Sequence, residues 1–595
     1  MAPLLLLALL AACAKDGLAR LREPADVSAQ TVEDGILVTW TDMSDGEDGH
    51  RVYRQEVESG NPVGDPEEVG TTGPDEESFL DTTGEQGKTY TYAVTAFKGD
   101  VESSAAEQEG PPVGPPPSPE PEPEPDGIIE VTSLSGGTGG PACTLRDAIA
   151  AADTDTATGG CEAGIGADVI LLPAGVITLT EVHGDTDGPT GLPSVTTEVE
   201  VRGALALEPV GGGDGGGSPT TTVARADDAP PFRLFHVAAS GSLTLSGVNV
   251  EGGYLEGGSS GAGMYVAGAA TLITVAFTGN EAQGADGGAL AAAGATLDLD
   301  AVDFTGNVVG PDDGAFTGAA IHLVGSQLDH ELGTLTGNRG SFAGGSAVVY
   351  VDADSEANLR DVDIVDNEAA GVWNLGQLGF FDGSIRSSAN ELEGGLLNEG
   401  EGLVENSEIS GNVAQHTGGV YNTGTLDIGF STIEDNEVLA EEAGLAGGVA
   451  NVGGSMGFTA TGVIGNVAHG EGSGGGIFNS GTMIKGDGGV QGNEAPTGGG
   501  IYLAAPGSLE LEQLETIFEN RATGNGGGIY IDGPALLVIE SGGDVEIRNN
   551  VADADGDGVG AGGGIFHTGL AEGSVIPDGT VFDNEPDDIS GPLLP

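Results

Sequence analysis

The chain has 595 residues, a formal charge of −76 and 109 glycines, and only 38% of it is apolar. That is thin for one large globular core but suits an elongated fold with a narrow interior. The glycine share far exceeds the usual value of about 7% without a three-residue period, which excludes collagen. With only four lysines, Lys15, Lys88, Lys98 and Lys485, there is no basic patch to displace counterions, which excludes nucleic acid as a partner.

Residues 1–12 are a short apolar run, too short to span a bilayer, and read as a signal peptide. It ends in Leu10-Ala11-Ala12-Cys13, which resembles the cleavage box of bacterial lipoproteins. The resemblance implies that Cys13 is lipidated, with residues 13–23 as a tether. Ala14 rather than aspartate follows, so the protein is expected on the outer membrane or cell surface, anchored to the membrane through the lipid. A plain secretory signal and a secreted protein are the alternative.

Residues 24–109 alternate apolar and polar residues in short runs, the mark of a β-sandwich. The runs Ile36-Leu37-Val38-Thr39-Trp40, His50-Arg51-Val52-Tyr53-Arg54 and Thr89-Tyr90-Thr91-Tyr92-Ala93-Val94 resemble a fibronectin type III domain, with Trp40 as its core tryptophan. In residues 110–126 proline alternates with glutamate, which predicts a semi-rigid acidic spacer.

Residues 127–180 are expected to cap a longer array. Ile128-Ile129-Glu130-Val131 reads as a strand, and Leu145, Ala148, Ile149 and Ala152 share one helical face behind a Thr144/Asp147 capping box. Cys143 and Cys161 bracket that helix. With Cys13 assigned to lipid they remain as a disulfide pair, worth about 3 kcal/mol.

From residue 181 to 585 one unit recurs, seen most fully from Gly474 to Asn493: glycines, Ile477-Phe478-Asn479, a Ser480-Gly481 turn, a short alternating run, then Gly492-Asn493. The period of roughly 22 to 34 residues is that of a solenoid, and alternation within each unit is that of strands. A parallel β-helix of about a dozen coils follows, with residues 586–595 as a tail. Asn280, Asn307, Asn338, Asn367, Asn412, Asn436, Asn466, Asn493, Asn520, Asn550 and Asn584 are expected to stack as an internal ladder. Asparagine tolerates the left-handed region that the corner requires. Asn374, Asn398, Asn422, Asn451 and Asn479 form a second candidate ladder.

The box Cys143-Thr144-Leu145-Arg146-Asp147-Ala148 resembles the Cys-Ser-Leu-Arg-Glu-Ala box at the head of bacterial surface β-helices. Gly191-Leu192-Pro193-Ser194 and Phe232-Arg233-Leu234-Phe235 extend the match. The Phe277-Thr278-Gly279-Asn280 and Gly-Gly-aliphatic units are similar to repeats of chlamydial polymorphic outer-membrane proteins. The resemblance implies a right-handed, pectin-lyase-like β-helix on a cell surface. No series of amphipathic barrel strands follows it, so attachment is assigned to the lipid.

Function is expected to be non-catalytic: an adhesin-like or cell-envelope display rod, without a cofactor. Aromatic residues follow the aliphatic residue of the glycine-rich strands at Tyr265, Trp373, Tyr421, Phe478, Tyr502, Tyr530 and Phe566. If the aliphatic residues point inward, alternation sends the rings outward as a stripe that could bind a glycan or a protein, and coverage of the rings by loops or by one another is the competing reading. The alternative function is a polysaccharide lyase or glycoside hydrolase, which needs gathered carboxylates and a base. The basic residues of the repeats are scattered over different coils. Asp553, Asp555 and Asp557 match the start of an oxygen-ligand loop and are the candidate calcium ligands, although Gly564 stands where an EF-hand needs glutamate. Solvation accounts for most of the acidic surface. His322 and His567 are read as ladder substitutes.

Overall fold

The computed structural model describes residues 21–592 apart from 33–34, 45–46, 59–60, 75, 86–87, 100, 109, 116–126, 206–217, 311–315, 341–345, 390–392, 440–443, 513–514 and 541–543. The signal, Cys13 and most of the spacer lie outside the described residues. The chain divides into two compact units, Met1–Glu124 and Pro125–Pro595. Among the described residues no helix is long and apolar enough to cross a membrane.

The first unit is two antiparallel sheets. One orders Ala25–Val32, Gly35–Thr41 and Ser78–Asp81; the other orders Asn61–Thr72, Gly49–Glu58, Thr89–Lys98 and Val101–Glu102, with Ala106–Glu107 also paired to Thr89–Lys98. Alternation turns Ile36, Val38 and Trp40 of one sheet toward Val52, Tyr90, Tyr92 and Val94 of the other, and these make a single buried cluster. Asp81, 1% exposed, sits at its edge.

The second unit is a parallel β-helix wound right-handedly. One of its faces is a sheet of fourteen parallel strands running from Phe235–Val237 to Ile589–Ser590. Each strand pairs with its equivalents one turn before and after, so the edge groups of one coil are satisfied by its neighbours. In several coils the neighbouring faces are made by one strand that bends within itself, as in Thr482–Gln491, where Asp487 takes a φ of 47° at the corner; in others two separate strands make them, and short strands such as Glu494–Ala495 and Arg521–Ala522 pair beyond. Apolar residues stack in register down the interior: Leu426, Met456, Met483, Leu509 and Leu537 in one column, Val449, Ile477, Ile501, Ile529 and Ile565 in another. All are at most 2% exposed. Truncating any of them to alanine would cost about 2–5 kcal/mol.

The helix spans Leu145–Thr154, and Thr144 caps it by accepting from the Asp147 backbone N–H. Leu145, Ala148, Ile149, Ala151 and Ala152 join the main core over the first coils, and the Cys143–Cys161 disulfide closes behind them. Arg146 is buried as well: its guanidinium reaches the carbonyls of Gly191 and Glu181 and the Glu181 carboxylate.

Both asparagine ladders are present. In the first, where an asparagine stands one coil earlier, the next Asn Oδ1 accepts from both its backbone N and its Nδ2; Asn466 receives two such bonds from Asn436 at 3.0 Å. It donates to Asn493 Oδ1 and to the Ile433 carbonyl. The column is interrupted once, at Ser388, whose Oγ is buried without a hydrogen-bond partner between Asn367 and Asn412. The left-handed residue is not the ladder asparagine, as the sequence suggested, but the one before it. Gly465, Gly492, Asp366, Asp435 and Asp583 all have positive φ. The turn is made there so that the asparagine can point straight inward. In the second ladder Asn374, Asn398, Asn422, Asn451 and Asn479 pass Nδ2-to-Oδ1 bonds of 2.7–2.9 Å from coil to coil.

The glycine triplet of the repeat serves three needs. Gly474 takes a φ of +88°; a Cβ on Gly475 would lie 2.3 Å from the Gly499 carbonyl oxygen; one on Gly476 would press on the Asn493 amide.

Candidate functional site: an in-register aromatic column

The fourteen-stranded face carries its outward residues in a single row. Strand pairing aligns His236, Tyr265, Ala291, His322, Tyr350, Trp373, Leu397, Tyr421, Ala450, Phe478, Tyr502, Tyr530, Phe566 and Ser590, one per coil. At about 4.8 Å per coil the row is roughly 60 Å long. All seven aromatic residues singled out from the sequence belong to it, and each is half-buried.

Ring geometry divides the row. Phe478, Tyr502, Tyr530 and Phe566 stack near-parallel, with centroids 5.0–5.5 Å apart and planes within 18°. Their faces are spent on one another, and what reaches solvent is ring edges and hydroxyls. The pattern breaks in the middle. Trp373 stands at 88° to Tyr350, Leu397 occupies the next level, and Tyr421 lies tilted against His416. Carboxylates gather at this break: Glu399 accepts from Trp373 Nε1 at 3.0 Å, and Glu393 meets His416 Nδ1 at 3.0 Å. Burial, and then the nearby carboxylates, raise the phenols of Tyr350 and Tyr421, so both remain hydrogen-bond donors at neutral pH. Asp532 holds the Tyr502 hydroxyl in the same way, at 3.1 Å.

Tyr350 and His236 were missed in the sequence, and His322 was given a different role. Before Tyr350 the positions next to the aliphatic Val349 are Ala347 and Val348, and the glycine pair Gly344-Gly345 lies farther upstream, so the glycine-aliphatic-aromatic pattern passes over it; its register with Trp373 identifies it. His322 is not a ladder substitute. It faces outward and stacks on Tyr350 at 4.8 Å, because alternation from the inward Ile321 sets its direction. His567 does stand in the register of Asn479, but Leu503 and Ile531 occupy the levels between, so it has no amide to join.

Other surface features are weaker. Asp553, Asp555 and Asp557 can bring one oxygen each within 4.8 Å of one another. Their carboxylates already accept from turn amides at Gly558, Asp557 and Val559, and exposed acidic turns of this kind are common without a metal. A shallow groove of about 480 Å³ on a bent-strand face is lined by Glu356, Gly379, Phe381, Glu401 and Asp427. In it Glu356 and Glu401 share a row with Gln377 between them.

No protein-family model matches the chain, and no curated protein does. Among solved structures the chain is similar to the pectate lyase Pel3 from Pectobacterium carotovorum, at 12% identity and a TM-score of 0.12, over 64% of this chain and 85% of that one. A score this low adds nothing to what strand pairing already gives.

Proposed function

We propose that this protein is a non-catalytic display rod, held on the outer membrane or cell surface by lipid on Cys13, that binds a neutral glycan along the aromatic column of its β-helix. The observation that carries this is the break in stacking at Trp373–Leu397–Tyr421, where rings, phenol and indole donors, and the carboxylates of Glu393 and Glu399 meet on one face. Aromatic surface with adjacent acceptors suits hydroxyl-bearing rings, and a charge of −76 disfavours an anionic polysaccharide. The two-sheet order of the first unit supports its reading as a fibronectin type III-like spacer, and the helix with its disulfide supports the reading of residues 127–180 as a cap of the surface β-helix type. Calcium at Asp553, Asp555 and Asp557 is a further part of the proposal, tested by whether a chelator lowers the Tm.

The test is a glycan array run beside a polysaccharide degradation assay. Trp373→Ala and Tyr421→Ala should each weaken binding about tenfold, or roughly 1.4 kcal/mol, with no shortening of any polymer. Binding that ignores both substitutions would end the column reading. Shortened polymer would favour the second reading, glycan cleavage in the groove of Glu356, Glu401 and Asp427.

A further inference from the structure

The aromatic column begins at His236, and the contacts of that residue are of a different kind from those of the rings below it. His236 is 1% exposed. Its Nδ1 lies 2.8 Å from Ser194 Oγ and its Nε2 lies 3.2 Å from Asp187 Oδ2. An ionised carboxylate can only accept, so the proton of the neutral imidazole sits on Nε2. That leaves the Nδ1 lone pair facing the Ser194 hydroxyl. The ring plane is fixed by stacking on Tyr265 at 5.7 Å, with 6° between planes.

The three residues come from sequence positions 187, 194 and 236, and the fold holds each independently. Val195 bonds to the His236 carbonyl, which seats Ser194 alongside the strand Phe235–Val237. Asp187 is at the tip of a tight hairpin closed by His183 and Gly184 on Thr190, with a φ of 52°. The hairpin is pinned from beneath by Arg233, fully buried, whose guanidinium donates to the carbonyls of Thr186, Asp187 and Ser260. Burial first and the Arg233 charge second lower the His236 pKa, against the opposing pull of Asp187, so the imidazole is neutral at pH 7. Ser194 is half-buried and the Asp187 side chain is about half exposed, so the relay opens toward solvent from the hairpin side.

We infer that Ser194, His236 and Asp187 form a nucleophile, base and orienting carboxylate that hydrolyse small uncharged O-acyl esters, such as acetyl esters on a neutral alcohol or sugar. Ser194 Oγ attacks the acyl carbon while Nδ1 takes its proton. The ester C–O bond breaks, and the departing alkoxide receives that proton as the alcohol. Water then attacks the acyl-Ser194 carbon, giving one proton to Nδ1. The acid leaves, and the Nδ1 proton returns to Ser194 Oγ. Ester and water become acid and alcohol, with no other reactant. Asp187 at the relay, with Asp185 two residues before it, disfavours anionic substrates. This replaces the non-catalytic part of the proposed function and leaves its glycan-binding part untouched, because no glycan needs to be held for a small ester to react.

The test uses the full chain with a fluorophosphonate probe and with p-nitrophenyl acetate. A single adduct should map to Ser194 and be lost in Ser194→Ala. Asp187→Asn, at an exposed hairpin tip, should keep the circular dichroism spectrum and lower the ester rate about 100-fold. The wild-type rate should rise with one ionisation below the ordinary histidine value of about 6.5. Absence of an adduct at Ser194, or a rate unchanged in Asp187→Asn, would overturn the assignment and leave the three groups as a structural hydrogen-bond network. Glycan binding is read separately with the Trp373 and Tyr421 variants, so failure of one reading does not imply failure of the other.

Discussion

The two units of the chain hold polar groups beside an apolar core in opposite ways. In the sandwich one buried carboxylate, Asp81, collects the Tyr92 hydroxyl at 2.7 Å, Arg54 at 2.9 Å, and the Thr83 hydroxyl and amide. In the β-helix the equivalent task is spread over eleven uncharged amides, bonded coil to coil in two runs on either side of Ser388. The difference follows from symmetry: a stack of like coils places identical groups 4.8 Å apart, and an amide can both donate to and accept from its copy. A column of carboxylates could only repel itself. Lys485 and Glu515 depart from this rule deep in the coil interior. Both are fully buried and 3.2 Å apart, with Lys485 also on the Thr461 carbonyl and over the Phe458 ring.

The contrast is broken most strongly by Asn466→Leu. It strands the two donors of Asn436 and the acceptors of Asn493 and Ile433, and should cost about 4 kcal/mol, read as a fall in the urea midpoint of the β-helix. Next is Asp81→Asn, which weakens every bond at that site and should cost the sandwich about 2–3 kcal/mol. The two tryptophans, Trp40 and Trp373, lie one in each unit, so fluorescence in a Trp373→Phe background reports the sandwich alone. Burial pushes the Asp81 carboxyl up, but the Thr83 and Tyr92 hydrogen bonds and the Arg54 charge outweigh it and hold the pKa below its ordinary value. The stability Asp81 supplies is therefore present above the usual carboxylate range and is lost as pH falls through the depressed value.

Glu515 has the opposite sign. Burial, only partly countered by Lys485, pushes its carboxyl up to about 7. Its contribution is complete below its ordinary 4.5 and is lost as pH rises toward 7. Glu515→Gln should flatten that stretch of the stability-versus-pH curve, and an unchanged slope would place the titration elsewhere. The smallest effect sharpens the comparison rather than breaking it. Ser388→Asn should join the two halves of the amide column and raise stability by about 1 kcal/mol.

Much of this was legible in the sequence because the fold is periodic. A repeat that returns asparagine after a turn residue, and glycine before an aliphatic-aromatic pair, names its own ladder and its own outward row. Thr144 and Asp147 likewise announced the helix start. What does not repeat was not legible. Tyr350 lacks the glycine signal, His322 was assigned to the wrong side of its strand, and the pairing of Lys485 with Glu515 joins residues from adjacent coils that share no pattern. The near-parallel stacking that hides the faces of Phe478, Tyr502, Tyr530 and Phe566 is a matter of side-chain torsion, and spacing alone does not contain it.

By itself the sequence determined the winding: strand alternation, glycine where coils touch, and an amide that bonds to its own copy leave a stacked parallel helix as the arrangement that satisfies every backbone group. Only the tertiary structure decided which side chains from unlike segments meet. The approach of Asp187 and Ser194 to His236, and the turn of Trp373 out of the stack, depend on loops and torsions packed against distant coils. Local periodicity carries information along one coordinate, whereas a site is a coincidence in three.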